Sequence, residues 1–147
     1  MEAGPFGKSD GDQWDAEVPA GQHITEIRIW AGATVDALAF FAKDAHGASY
    51  QIGNKKGGGG GDEHLFGLAD DEYLTGVSGR AGGGSGVTQL VFITNKRTSP
   101  QYGTSGSGTD FHADLGPEEV FKVWGTMGSA FLGAYVINSI VIRSRSH

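Results

Sequence analysis

Apolar residues come in short runs along this chain, each broken by turn-forming residues. The clearest runs are Ile24–Trp30, Val35–Phe41, Gly86–Thr94, Val120–Trp124 and Tyr135–Ile142. They are rich in β-branched and aromatic residues, the types that favour strands. Ile27-Arg28-Ile29 alternates apolar and polar, as a half-buried strand does. No segment keeps a helical period for three turns. Short strands separated by glycine turns predict an all-β sandwich, barrel or related closed architecture.

A repeat lies on top of this pattern. Gly11-Asp12-Gln13-Trp14, Gly61-Asp62-Glu63-His64 and Gly108-Thr109-Asp110-Phe111 each join a glycine to a flat ring three residues on. A second series brings a small residue to a short polar one, then to a strand: Gly32-Ala33-Thr34-Val35-Asp36, Gly84-Ser85-Gly86-Val87-Thr88 and Ala134-Tyr135-Val136-Ile137-Asn138. Both recur about every fifty residues, which marks a repeated supersecondary unit. About fifty residues is the size of a four-stranded Greek key, so three such sheets are expected. The first glycine loop precedes any polar partner, and the last polar residue lies near the end of the sequence. The first loop must therefore pair with the last turn. The N- and C-terminal segments then lie side by side and close one sheet, giving a single domain over residues 1–147.

Composition narrows the functional classes. Glycine is the outlier, with 26 residues against 4 prolines. Clustered between apolar runs, the glycines suit loops whose bare backbone N–H groups approach a small ligand. A net charge of −6 argues against nucleic acid or an anionic membrane surface as partner. The chain has no cysteine, which excludes disulfides, thiol nucleophiles and cysteine-based zinc sites. Met1–Pro5 lacks the basic and apolar regions of a signal peptide, and no apolar run approaches a membrane span. These features lead to an expected cytoplasmic location, or release without a signal peptide.

Four stretches in order resemble the jacalin-related lectins. They are Gly4-Pro5-Phe6-Gly7 with Gly11 and Trp14-Asp15; Glu72-Tyr73-Leu74-Thr75-Gly76-Val77; Phe92-Ile93-Thr94-Asn95-Lys96 with Tyr102-Gly103; and Tyr135–Ile142. The resemblance implies a β-prism of three four-stranded Greek-key sheets. It also implies reversible binding of sugars, with no cofactor and no covalent chemistry. In that family an aspartate carboxylate, the backbone N–H groups two and three residues before it, and a glycine N–H from the facing loop hold the sugar. Galactose specificity goes with a cleaved chain. The corresponding loop is continuous here, which favours mannose- or glucose-type glycans.

Carried over by position, the resemblance gives a first site of Asp36, Ala33, Thr34 and Gly61, in which the Gly-x-x-x-Asp pattern is intact. An ordinary turn aspartate would fit the local pattern as well. The site at the termini would use Gly11, Tyr135, Val136 and Asn138, with asparagine in place of the acid. A competing alignment through Gly128-Ser129-Ala130-Phe131-Leu132 would put an apolar residue there. Asn138 is preferred because Ser139-Ile140-Val141-Ile142 then matches Ala37-Leu38-Ala39-Phe40. The third unit offers Thr88 opposite Gly108.

Other features carry less. Trp14, His64 and Phe111 are expected to brace loops by packing. The five histidines show no metal-ligand spacing, so no metal is expected. Gly57–Gly61 lacks the Gly-Lys-Ser/Thr of a phosphate loop. Asp70-Asp71-Glu72 reads as a turn rather than a hydrolytic carboxylate pair, and Lys55-Lys56 as a solvated loop. Partners would be glycans or glycoproteins, with a homo-oligomer admitted. The rival reading is a protein-interaction prism whose sugar sites have degenerated.

Overall fold

The computed structural model describes all residues except Gly83, Phe131 and Leu132. Among the described residues twelve strands run in the order β1 (Glu2–Gly7), β2 (Asp12–Glu17), β3 (Ile24–Ala31), β4 (Val35–Lys43), β5 (Ser49–Gln51), β6 (Lys56–Gly57), β7 (Asp62–Gly67), β8 (Leu74–Ala81), β9 (Val87–Thr94), β10 (Thr109–Asp114), β11 (Glu119–Ser129) and β12 (Tyr135–Arg145). All named pairings are antiparallel. They form three sheets that enclose one core, as the repeat predicts.

The first sheet has the order β1-β12-β11-β2. The two ends of the chain close it together, as expected from the phase of the repeat. The second has the order β5-β4-β3-β7, with β6 also on β4. β5 and β6 occupy the place of one edge strand, interrupted at Ile52–Lys55. The third is β10-β8-β9. Its fourth strand is reduced to single bridges, Ile93 with Thr98 and Leu90 with Tyr102. Pro100 lies between those bridges and has no N–H to donate, so a continuous ladder cannot form there. The expected four strands per sheet therefore hold strictly only in the first.

The core takes one side of every sheet. Ile27, Ile29, Leu38 and Phe40 come from the second sheet, Leu74, Leu90 and Phe92 from the third, and Ile137, Ile140 and Ile142 from the first, all fully buried. Trp14, Phe40 and Phe92 supply one large ring per sheet at the centre. Trp14 and Phe40 stack at 6.3 Å, and Phe92 meets Phe40 edge-on at 6.5 Å. Burying a side chain of this size stabilises by about 1.5–3 kcal/mol. The contact depends on all three sheets and holds the prism closed.

One irregularity recurs in each sheet and positions the candidate site. Trp30 faces Ala37 but Ala31 faces Val35, so Asp36 is an extra residue in β4. Arg80 faces Gln89 but Ala81 faces Val87, leaving Thr88 extra in β9. Thr126 faces Ser139 but Met127 faces Ile137, leaving Asn138 extra in β12. A bulge re-aims the side chain it carries. The three short polar residues read from the sequence are thus equivalent in three dimensions, and Asn138 is the counterpart of Asp36. The alternative alignment ends at Phe131 and Leu132, which lie outside the described residues.

Candidate functional site

Asp36 stands where the β3–β4 turn meets the glycine loop that leads into β7. Gly58 N–H donates to the Asp36 carbonyl at 2.9 Å, which ties this loop to the bulge. A Cβ on Gly60 would lie 3.1 Å from Asp36 Oδ1, and one on Gly61 only 2.6 Å from Oδ2 and 2.7 Å from the Ala31 nitrogen. Gly61 has a φ of +81°, which side chains other than glycine rarely adopt. Both the close approach and the backbone conformation require glycine here.

The Asp36 carboxylate is half-buried, and no hydrogen bond reaches it from the described residues. Burial raises its pKa above the ordinary 3.8, while the Lys55 ammonium pulls it back down. Lys55 lies 4.1 Å from the centre of the Trp30 ring, so a cation–π contact holds it beside the acid. Across the turn, Gly32 N–H donates to the Thr34 carbonyl at 3.1 Å. Thr104 and Ser105 of the third unit both donate to the Ala33 carbonyl, at 3.0 and 2.8 Å. These bonds fix the turn through its carbonyls. They leave the Ala33, Thr34 and Gly61 N–H groups without a partner among the described residues. The result is an anionic acceptor and three backbone donors, shaped by strands and left open.

The unit at the termini is built differently. Asn138 is buried, with 6% exposure, and its Nδ2 donates to the Asp10 carbonyl at 3.1 Å. Its Oδ1 points at Gly86 of the neighbouring unit, 3.2 Å from where a Cβ would stand. Gly11 faces Met127 at φ +112°, as Gly61 faces Ala31. The hairpin itself is longer here. Gly128 pairs with Val136 and Ser129 with Tyr135, so these two expected ligands are strand residues rather than parts of a tight turn. The Val136 side chain is buried, and the Tyr135 hydroxyl donates to the Asp12 carboxylate. The expected set of Gly11, Tyr135, Val136 and Asn138 thus shares one hairpin region, but the Asn138 Nδ2 is committed to the Asp10 carbonyl and its Oδ1 is turned to Gly86. Six added residues in the loop cause this, because they let the ladder continue past the bulge.

Thr88 is fully buried in the third unit. Its hydroxyl faces the Ser107 carbonyl at 2.6 Å and the Arg80 carbonyl at 3.2 Å, and its one proton is committed between them. Gly108 takes φ +98° against Ala81, matching the other two glycines.

The flat rings serve packing, with differences. Trp14 is core, and its indole N–H donates to the Thr126 carbonyl at 3.1 Å. Phe111 stacks on Phe6 at 4.6 Å, and the exposed His64 leans on Tyr102 at 5.5 Å. Asp71 pairs with Lys96 at 2.6 Å and Glu72 with Arg97 at 2.9 Å, a structural turn as expected. The expectation of a solvated Lys55-Lys56 loop needs correction for one residue. Lys56 is buried at 9% exposure, paired with Leu38. Burial pushes its pKa down, and Asp15 of the first sheet partly restores it. The role of Lys55 beside Asp36 had no signal in the sequence, since Trp30 reaches it only through the fold. Two concavities, ≈ 690 Å³ beside His23 and Tyr50 and ≈ 570 Å³ beside Trp124, lie away from Asp36. The Asp36 site is defined by its unpaired hydrogen-bonding groups rather than by depth.

A three-sheet prism whose open carboxylate and backbone N–H groups sit on glycine loops is suited to a polyhydroxylated ligand, and the family match makes this a lectin, a non-enzymatic carbohydrate-binding protein. The model of the jacalin-like lectin domain matches residues 3–142, and the chain belongs to that family. It is 33% identical over 118 residues to horcolin of Hordeum vulgare subsp. vulgare, covering 78% of this chain and 80% of horcolin. It is 32% identical over 135 residues to the mannose/glucose-specific lectin of Parkia pendula, covering 87% of this chain but 29% of that protein. In structure it superposes on the Calsepa lectin, solved in complex with a biantennary N-glycan, with a TM-score of 0.80 and 27% identity, covering 100% of this chain and 97% of the other.

Proposed function

We propose that this lectin recognises mannose- or glucose-type glycans through a single site made of Asp36, Ala33, Thr34 and Gly61. The observation that carries this reading is the Asp36 carboxylate, half-buried yet without a hydrogen-bond partner among the described residues. A carboxylate in that position can accept from two adjacent sugar hydroxyls, and bonds to an ionised acceptor are the stronger kind. The free N–H groups of Ala33, Thr34 and Gly61 would donate to ring and hydroxyl oxygens. The relatives' names support the choice of sugar, one being mannose/glucose-specific and another bound to a biantennary N-glycan. A handful of hydrogen bonds at an open surface gives an expected monosaccharide Kd on the order of millimolar, about −4 kcal/mol.

The equivalent side chains Asn138 and Thr88 are directed inward and hydrogen-bonded to carbonyls. Avidity would then come from association of several chains rather than several sites on one. Those two closed positions are also what favours the rival reading, a glycan-independent interaction module. An NMR titration of labelled protein with methyl α-mannoside separates the two. Saturable shifts at Ala33, Thr34, Asp36 and Gly61, with none at Tyr135 and Val136, are expected. A flat titration at tens of millimolar, repeated with methyl α-glucoside, would leave the interaction module standing.

A further inference from the structure

We propose that His23, Glu119 and His147 form a binding site for a divalent transition-metal ion of the zinc class, at the end of the prism remote from Asp36. One ligand atom from each lies within 4.8 Å of the other two. His23 follows β2, Glu119 opens β11 and His147 follows β12. The three are far apart in the chain, which is why their spacing carries no metal signature. His23 sits at the opposite end of β3 from the Asp36 turn, roughly 25 Å away at the rise of a strand.

Glu119 distinguishes this cluster from chance surface histidines. Its side chain is only 4% exposed, although it carries a charge that is costly to bury without a partner. His23 Nδ1 lies 2.8 and 2.7 Å from its two oxygens and is the only side-chain partner among the described residues. Arg145 is in register with Glu119 but does not neutralise it. Its guanidinium bonds the carbonyls of Val18, Pro19 and Gln22 at 3.3, 3.1 and 2.9 Å and covers the Phe121 ring. Those bonds fix the loop that carries His23. Glu118 is turned away, to the Ser144 hydroxyl at 2.6 Å and the Met1 ammonium at 3.2 Å. The His147 ring is held by stacking on Tyr73 at 3.7 Å, with its centre 5.9 Å from that of His23.

Two imidazoles and a carboxylate suit zinc, copper or nickel, whereas magnesium and calcium prefer all-oxygen sites. Zinc–donor bonds of about 2.0–2.2 Å place tetrahedral donors about 3.3–3.6 Å apart. The donor atoms lie within 4.8 Å of one another, and His23 Nδ1 is already 2.7 Å from a Glu119 oxygen, so a shift on the order of 1 Å brings the set to that separation. Three protein donors leave a fourth position for water. An ion here would also tie together the three segments that meet at this end of the prism.

The test uses the full chain titrated with zinc by calorimetry and with cobalt by visible absorption. Binding should saturate at one ion per chain. His147→Gln, a change at an exposed residue, should weaken it at least about tenfold, and Glu119→Gln should do the same. His23→Gln should abolish the tetrahedral cobalt band. Absence of saturable binding would overturn the proposal, as would an affinity equal to the parent chain's in both His147→Gln and His23→Gln. The methyl α-mannoside titration should be unchanged by the metal, so failure here leaves the Asp36 reading standing.

Discussion

Replacing Asp36 with asparagine separates a binding role from a structural one, because the two roles predict opposite effects on stability. Burial raises the Asp36 pKa, so the folded chain holds this proton more tightly than the unfolded chain does. The ionised form prevailing at neutral pH is therefore a net cost to folding, relieved as pH falls through the raised pKa. Asparagine removes that charge at constant shape. The loss of attraction to exposed Lys55 is small. Asp36→Asn should then leave the melting temperature unchanged or slightly raised. Its effect on sugar is the reverse. A hydrogen bond to a charged group contributes about 1.5–3 kcal/mol, and asparagine replaces one of two acceptors by a donor. Losing about 2 kcal/mol weakens binding roughly 30-fold, from about millimolar to tens of millimolar. NMR titration measures the affinity and calorimetric melting the stability. An affinity within threefold of the parent chain would refute the assignment of the carboxylate to sugar. A melting temperature lowered by more than roughly 4 °C, about 1 kcal/mol for a chain of this size, would show instead that Asp36 holds the fold.

Three further outcomes follow from the same geometry. Gly61→Ala should abolish methyl α-mannoside binding and lower stability by at least about 1–2 kcal/mol, since φ +81° is strained for alanine and its Cβ would meet Asp36 Oδ2 at 2.6 Å; unchanged binding on titration would contradict this. Asn138→Asp should not create a second sugar site. It would set a buried carboxylate against the Asp10 carbonyl and destabilise by about 1–3 kcal/mol, measurable by urea unfolding. Sugar affinity should fall on acidification, with a midpoint above the ordinary aspartate value of 3.8 because burial raises the Asp36 pKa; a midpoint below it, measured across an NMR pH series, would count against the site.

Much of this protein was legible in the chain because it is periodic. The alternation in Ile27-Arg28-Ile29 and the β-branched runs set strand positions to within a few residues, since a strand shows one side to the core whatever its neighbours are. The recurrence of Gly11, Gly61 and Gly108 located the loops, because a chain passing this close to another strand at positive φ admits no Cβ. The phase of the two repeats required the termini to meet. What only the tertiary structure decided is which of three equivalent polar residues stays open. Asp36, Thr88 and Asn138 occupy the same bulge, yet their environments are set by loops from other units. Ser107 claims the Thr88 hydroxyl and Asp10 claims the Asn138 Nδ2, while the Asp36 carboxylate has no hydrogen-bond partner among the described residues. The meeting of His23, Glu119 and His147, and of Lys55 with Trp30, was equally invisible, because contacts between distant segments have no period to read. Local sequence dictates backbone form through sterics and side-chain burial, whereas the free valence of a polar group depends on everything the fold brings near it.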